Sequence, residues 1–359
     1  MSLDALRGFD MLFIMGVASL VVAVCGLWPS AVTDAAAASM SHVAWDGFAH
    51  HDTIFPLFLF IAGVSFPYSV AKQRAGGMSE GRIYAKIVRR GLTLVVLGMV
   101  YNGLFKLDFE NLRIASVLGR IGLAWSIAAV LYLNFGVKTR AAIAVAVLAG
   151  YGALSALVAA PDAAGAGPLT FEGNLAGYID RQFLPGKLIY GSFDPEGLLS
   201  TVPAVVTAML GMFTGEFVRR GDIRGGRKTL WMAAAAAALL AAGLAFSGVL
   251  PVNKKLWSST FVCVVGAYSL GMFALFYYLI DVRGWRRWTL FFRVVGLNSI
   301  TIYLAQRIVG FGRISDFFLG GIASKCPEAV AAVISSAGYV AVCWLFLYFL
   351  YRKNVFLKV

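Results

Sequence analysis

Charge is what this chain has least of. Only 14% of its 359 residues are Asp, Glu, Lys or Arg, against about 25% in an ordinary soluble domain, while 60% are hydrophobic and the mean hydropathy is +0.78. That balance excludes a water-soluble globule and defines a polytopic membrane protein. Cysteine is scarce as well. Cys25, Cys263 and Cys343 lie in apolar runs and Cys326 in a connection, with no spacing that suits a metal, a redox pair or a disulfide framework; no metal is expected. No DNA- or RNA-binding motif accompanies the net charge of +13, so the excess of Lys and Arg is read as topological bias and attraction to anionic lipid, with no nucleic-acid partner. Internal repeats are missing too.

What is present is a series of apolar runs, each near the roughly 20 residues needed to cross a hydrocarbon core of about 30 Å. Ten are predicted, at 9–28, 53–71, 88–105, 114–135, 141–160, 199–218, 229–250, 257–280, 290–310 and 329–351. The expected fold is an all-α bundle of about ten transmembrane helices forming one domain over 1–359. Basic residues collect in the cytoplasmic connections of membrane proteins. Here they gather after the second run (Lys72, Arg74, Arg82, Lys86, Arg89, Arg90) and after the sixth (Arg219, Arg220, Arg224, Arg227, Lys228), and ten crossings put both on one side. Lys138, Arg140, Arg283, Arg286, Arg287, Arg352, Lys353 and Lys358 join them, as does Arg7 before the first run. Both termini are therefore expected in the cytoplasm. The first run, with Asp34 to Ser39 behind it, has some features of a secretory signal. Its length and the parity of the basic loops favour a retained helix.

All three histidines fall within ten positions, in the run Ser41-His42-Val43-Ala44-Trp45-Asp46-Gly47-Phe48-Ala49-His50-His51-Asp52, at the outer entrance of the second span. Imidazole, with an unperturbed pKa of about 6.5, can take and return a proton near neutral pH, and two carboxylates lie close in sequence. The run reads as proton-transfer chemistry centred on His42; Asp46, four residues on, would share its face if the run were helical. His50 and His51 are read as solvated loop residues. Trp45 suits an interfacial belt or a ligand's apolar face. The long outer connection at about 161–198 ends in Asp194-Pro195-Glu196-Gly197, whose acids suit either a helix cap or a substrate contact. Polar groups inside spans are expensive, so Asp10, Arg120, Asn298, Ser299, Gln306 and Arg307 are further candidates, for function or for pairing between helices.

Several strings now resemble one family. Ser2-Leu3-Asp4-Ala5-Leu6-Arg7-Gly8 is similar to an opening Ser-x-Asp-x-x-Arg-Gly, and His42 to Gly47, followed by Asp52 to Pro56, to a His-x-x-Trp-Asn/Asp-Gly segment. Ile114 to Gly122 ends Leu-x-Arg-x-Gly; Phe193 to Gly197 reads Phe-Asp-Pro-Glu-Gly; Pro251 to Trp257 reads Pro-x-Asn-Lys-x-Leu-Trp; Gly296-Leu297-Asn298-Ser299 completes the series. In this order they resemble the transmembrane domain of heparan-α-glucosaminide N-acetyltransferase and its bacterial NagX-like relatives, amino-sugar acetyltransferases, over nearly the whole chain. The resemblance implies acetyl transfer from cytoplasmic acetyl-CoA to the amine of a glucosamine-type sugar on the outer side, with His42 at the active-site histidine's place.

On that reading His42 is the general base and Asp52 is catalytic beside it, orienting its ring, and Trp45, Asp46, Glu196 and Lys254 are substrate contacts. Arg7, Arg90 and Arg120 would meet the CoA phosphates, and Asn298 and Ser299 its amides or thioester carbonyl. Departures surround the pocket: Ala18 aligns with a family asparagine, Asp46 stands where the animal enzyme has Asn, and Gly119 where it has Gln. The lack of the animal enzyme's luminal domain suggests a bacterial inner-membrane protein acting on periplasmic amino sugars. Its partners would be acceptor, acetyl-CoA and membrane lipid, with a homodimer compatible. The competing class is a proton-coupled transporter using His42, Asp46 and Asp52 as a relay, against which the edge position of the cluster and the missing repeats both count.

Overall fold

The structure is a computed structural model that describes residues 1–357; Lys358, one of the basic residues counted towards the cytoplasmic side, lies outside the described residues. Among those described the chain is all-helical, with two isolated bridges, Arg113 to Gly186 and Ala159 to Asn174, and no strand. Among the described residues eight helices are long and apolar enough to cross a membrane: Ser2–Cys25, His50–Ala75, Val117–Asn134, Val137–Leu157, Thr201–Arg219, Gly225–Phe246, Ser259–Val282 and Glu328–Arg352. Two of the ten expected crossings differ. The run at 88–105 belongs to the helix Glu80–Tyr101, whose first half carries Glu80, Arg82, Lys86, Arg89 and Arg90. The run at 290–310 is two short helices, Thr289–Leu297 and Ser299–Ile308, broken at Asn298. The break falls at the polar pair Asn298-Ser299 inside the run, but mean hydropathy alone does not register a change of backbone there.

The chain divides into two compact units. The first comprises residues 1–43, 49–54 and the C-terminal part from Met272. Within it the helix Ser2–Leu12 lies against Thr289–Leu297, in contact close enough to demand glycine: a Cβ on Gly8 would sit 1.7 Å from the Phe292 carbonyl oxygen, and one on Gly296 2.0 Å from that of Asp4. The first helix is interrupted by a π-turn, Phe13–Val17, where Gly16 takes φ +127°. The helix Phe311–Ala323 packs on Glu328–Arg352, with Ser315 against Gly338.

The second unit comprises residues 44–48 and 55–271. Lipid tails are as apolar as Leu, so helices here gain little by hiding hydrocarbon from one another; close packing of small residues joins them instead. Two seams are built that way. Gly63, Gly211 and Gly215 bring Ile54–Ala75 and Thr201–Arg219 together, with Cβ positions 2.0–2.3 Å from facing carbonyl oxygens. Gly91 faces Gly122 and Ser126, and Gly98 faces Ser116 and Gly119, so Glu80–Tyr101 and Val117–Asn134 run antiparallel in contact. The long connection after Leu157 carries a helix of its own, Leu175–Phe183, whose Asn174 cap accepts from Gly177 N at 2.6 Å.

Candidate active site

In the first unit His42 and Asp52 meet. Ala49 is extended and residues His50–Thr53 form a single 3-10 turn ahead of the apolar helix. The turn folds the Asp52 carboxylate back onto its own start, where Oδ2 accepts from Ala49 N at 3.2 Å, and its other oxygen lies 2.7 Å from His42 Nδ1. Asp52 is 1% exposed and the His42 side chain 52%, so a buried acid holds an imidazole that reaches solvent. The other two histidines are not merely solvated, contrary to expectation. His51 lies 4.5 Å from His42 between ring centroids, and His50 packs on Phe13 at the same separation.

The expected helical turn joining His42 to Asp46 does not form; residues 41–48 have no helix. Asp46 instead accepts from Asn253 Nδ2 at 3.0 Å in the second unit. Three further contacts fix the same segment: Gly47 N donates to Val252 O at 2.9 Å, Lys255 Nζ donates to the Ala44 carbonyl, and Trp45 Nε1 donates to Leu169 O at 2.9 Å. Trp45 packs edge-on against Phe171 and Phe193. The strings Trp-Asp-Gly, Phe-Asp-Pro-Glu-Gly and Pro-x-Asn-Lys-x-Leu-Trp, distant in sequence, therefore converge within this unit. Asn253 is the joint between two of them: its Oδ1 also accepts from Leu256 N at 2.9 Å, bending the chain so that Trp257 takes φ +53°.

Glu196 does not cap the helix Thr201–Arg219, whose N-cap makes no side-chain hydrogen bond. Arg113, on the loop before Val117–Asn134, pairs with Asp194 through Nε at 2.8 Å and Nη2 at 2.7 Å, and with Glu196 as well. Burial works to lower the Arg113 pKa, but the hydrogen bond to Asp194 and the charges of Glu196 and Asp194 outweigh it and raise it, so the guanidinium stays charged. Asp180, fully buried on Leu175–Phe183, accepts from Leu198 N at 2.9 Å. Burial pushes its carboxyl up to about 6. Gly197 is a glycine for that reason, since a Cβ would fall 1.9 Å from Asp180 Oδ2.

Arg120 is also found with this loop. It is 2% exposed, donates through Nη2 to Ser200 Oγ and to Gly197 O (3.4 Å), and stands 5.0 Å above the Trp257 ring. Gly98 lies beside Ser116 and Gly119, so Arg120 is at the end of the seam away from the basic turn at 72–82. Arg90 lies nearer that turn, over the Trp125 ring at 4.3 Å. In the first unit Arg7 pairs with Asp4 at 3.4 Å, while buried Asn298 donates to Val355 O at 3.2 Å and accepts from Thr301 Oγ1, with Ser299 beside it. Lys254 is partly exposed, and its carbonyl accepts from Trp257 N at 3.0 Å. Its neighbour Lys255 is the lysine that reaches the aromatic group, 4.5 Å from the Tyr190 ring. Arg113, Asp180, Asn253 and Lys255 were not singled out from sequence. Asn253 alone left a trace there, as a letter of a recognised string. Among the described residues no cluster of metal-ligating side chains occurs.

A membrane-type helical protein with a solvent-reaching histidine on a buried aspartate is the class that fold and site define. No family model matches the chain. In an alignment of 375 positions that takes in 89% of its length it is 27% identical to the human heparan-alpha-glucosaminide N-acetyltransferase, and in one of 372 positions it is 26% identical to the mouse protein of that name. These relatives bear out the resemblance read from the motifs. The matches take in 55% and 56% of those two proteins, so the chain spans about half the length of the curated relatives it matches.

Proposed function

We propose that the chain is a transmembrane acetyltransferase that moves acetyl from cytoplasmic acetyl-CoA to the amine of a glucosamine-type sugar on the outer face, in the bacterial inner membrane. The contact between His42 and Asp52 carries this reading. A carboxylate accepting from Nδ1–H fixes the tautomer and puts the basic lone pair on Nε2, and it stabilises the imidazolium once a proton arrives. A sugar ammonium is no nucleophile. His42 takes its proton, the neutral amine attacks the thioester carbonyl, the C–S bond breaks, the imidazolium returns that proton to the departing thiolate, and the second proton lost as the attacking nitrogen becomes an amide passes to solvent. Acetyl thus leaves sulfur for nitrogen with no net change at the histidine.

We assign Trp45 and Asp46 to the acceptor: an aromatic face for the ring and a carboxylate for the ammonium, the latter oriented by Asn253. Lys254 remains a further outer contact in this scheme, whereas Glu196, committed to Arg113, holds the loop in shape. Arg7 and Arg90 are the guanidiniums assigned to the CoA phosphates, whose planar forks match phosphate oxygens; Arg120 is reassigned to the outer loop. Asn298 and Ser299, at the break between two helices, supply polar groups suited to the pantetheine amides. The names of the relatives favour a transferase over a proton-coupled transporter.

The test supplies purified protein with labelled acetyl-CoA and glucosamine. Acetylated sugar is expected from wild type and not from His42→Ala. Equal product from both, or accumulation of sugar in vesicles without acetyl-CoA, would overturn the assignment.

A further inference from the structure

The first unit holds a pocket that shares no residue with the His42–Asp52 pair. Its volume is about 480 Å³, within the roughly 300–1,000 Å³ of small-molecule sites. Ser19, Gln306, Ser315, Asp316, Ser335 and Ser336 give it polar walls. Ser19 stands on Ser2–Cys25 and both Ser335 and Ser336 on Glu328–Arg352, helices apolar enough to cross a membrane, where polar groups need a partner or a task. The first helix is interrupted at this level. Gly16 lines the pocket within the π-turn, and Gln306 Nε2 donates to the Ile14 carbonyl at 3.3 Å and to the Tyr339 hydroxyl at 2.9 Å. Such π-turns frequently mark functional sites. Ser315, 1% exposed, has a hydroxyl with no hydrogen-bond partner.

The lining also selects its ligand. Asp316 is its one charged residue and no cation is present, so a phosphate or carboxylate would meet repulsion with nothing to offset it. Four serine hydroxyls, an amide and a phenol suit the hydroxyl groups of a sugar, and the carboxylate suits an ammonium. We propose that this pocket is a second binding site for a small polyhydroxylated amine of the glucosamine class, separate from the site of acetyl transfer. The choice of amine rests on the acceptor class inferred above.

Equilibrium binding of labelled glucosamine to the full chain in detergent, without acetyl-CoA, reads the pocket directly. Wild type is expected to show a second class of site beside the acceptor site. Ser19→Trp, which fills the pocket from an exposed position, removes it, and Asp316→Asn, also exposed, weakens it roughly fivefold; both keep acetyl transfer and the wild-type size-exclusion profile. Glucose, which lacks the ammonium, competes poorly for it. Binding that both substitutions leave unchanged overturns the pocket assignment, whatever transfer shows. Binding lost in both variants, with no transfer by any form of the protein, supports the pocket and overturns the transferase reading instead.

Discussion

Asp52 is buried and placed by a single turn of helix, and its carboxylate has two tasks: it caps that turn through Ala49 N and it holds His42. Asp52→Asn keeps an oxygen for the cap but no longer stabilises imidazolium. Turnover is expected to fall by a large part of the roughly 10²–10⁴-fold that a positioned base contributes, with yield little changed; His50→Gln and His51→Gln are expected to retain most activity. Parallel measurements of initial rate and of purified yield check this, and equal losses of both for Asp52→Asn would contradict it. Asp180 gives a different signature. Its folded pKa of about 6 lies above the ordinary 3.8, so the folded chain holds the proton more tightly than the unfolded one. The stability this confers is complete below about pH 4 and is lost as pH rises through about 6. Asp180→Asn, neutral at every pH, should therefore raise the thermal midpoint at pH 7.5 and lose that advantage at pH 4, by about 1–3 kcal/mol. A midpoint difference that does not vary with pH would contradict it.

Glycine seams set the helix pairs. Gly211→Val would drive its side chain into the Phe60 carbonyl, 2.0 Å from where Cβ would stand, whereas a Cβ on Gly226 meets nothing within 4 Å. Gly211→Val is expected to cut folded yield sharply, with an overpacking cost of about 1–3 kcal/mol or more, while Gly226→Ala is neutral. Monodisperse protein recovered from detergent decides this, and equal recoveries would refute the seam. The seams also show why only part of the molecule was legible in its letters. Apolar length gives the helices, and the strings around His42, Phe193 and Pro251 mark their junctions. Hydropathy does not register the break at Asn298, whose side-chain amide donates to Val355 O. It is blind as well to Arg113, which looks like any loop cation until the fold brings Asp194 and Glu196 to it. Lys254 and Lys255 are adjacent and alike as letters; only the bend after Asn253 decides which of them meets Tyr190.

The whole molecule has sides, and the proposed chemistry needs both. On the proposed reading, the basic residues at 72–90 and 219–228 are assigned to the face that meets acetyl-CoA, and His42 to the other. A cysteine introduced at Arg224 should be labelled by an impermeant maleimide only after the inner face is opened, whereas one at Gly165 should react in intact cells. The reverse pattern would invert the assignment of donor and acceptor.

The most direct measurement combines sidedness with the base. Protein is reconstituted in vesicles with labelled acetyl-CoA confined to the face bearing Arg224, and an impermeant glucosamine polymer is supplied only on the other. Wild type should transfer label to the polymer, and His42→Ala should not. Label transferred equally by His42→Ala, or transferred only when donor and acceptor share one face, would contradict the account.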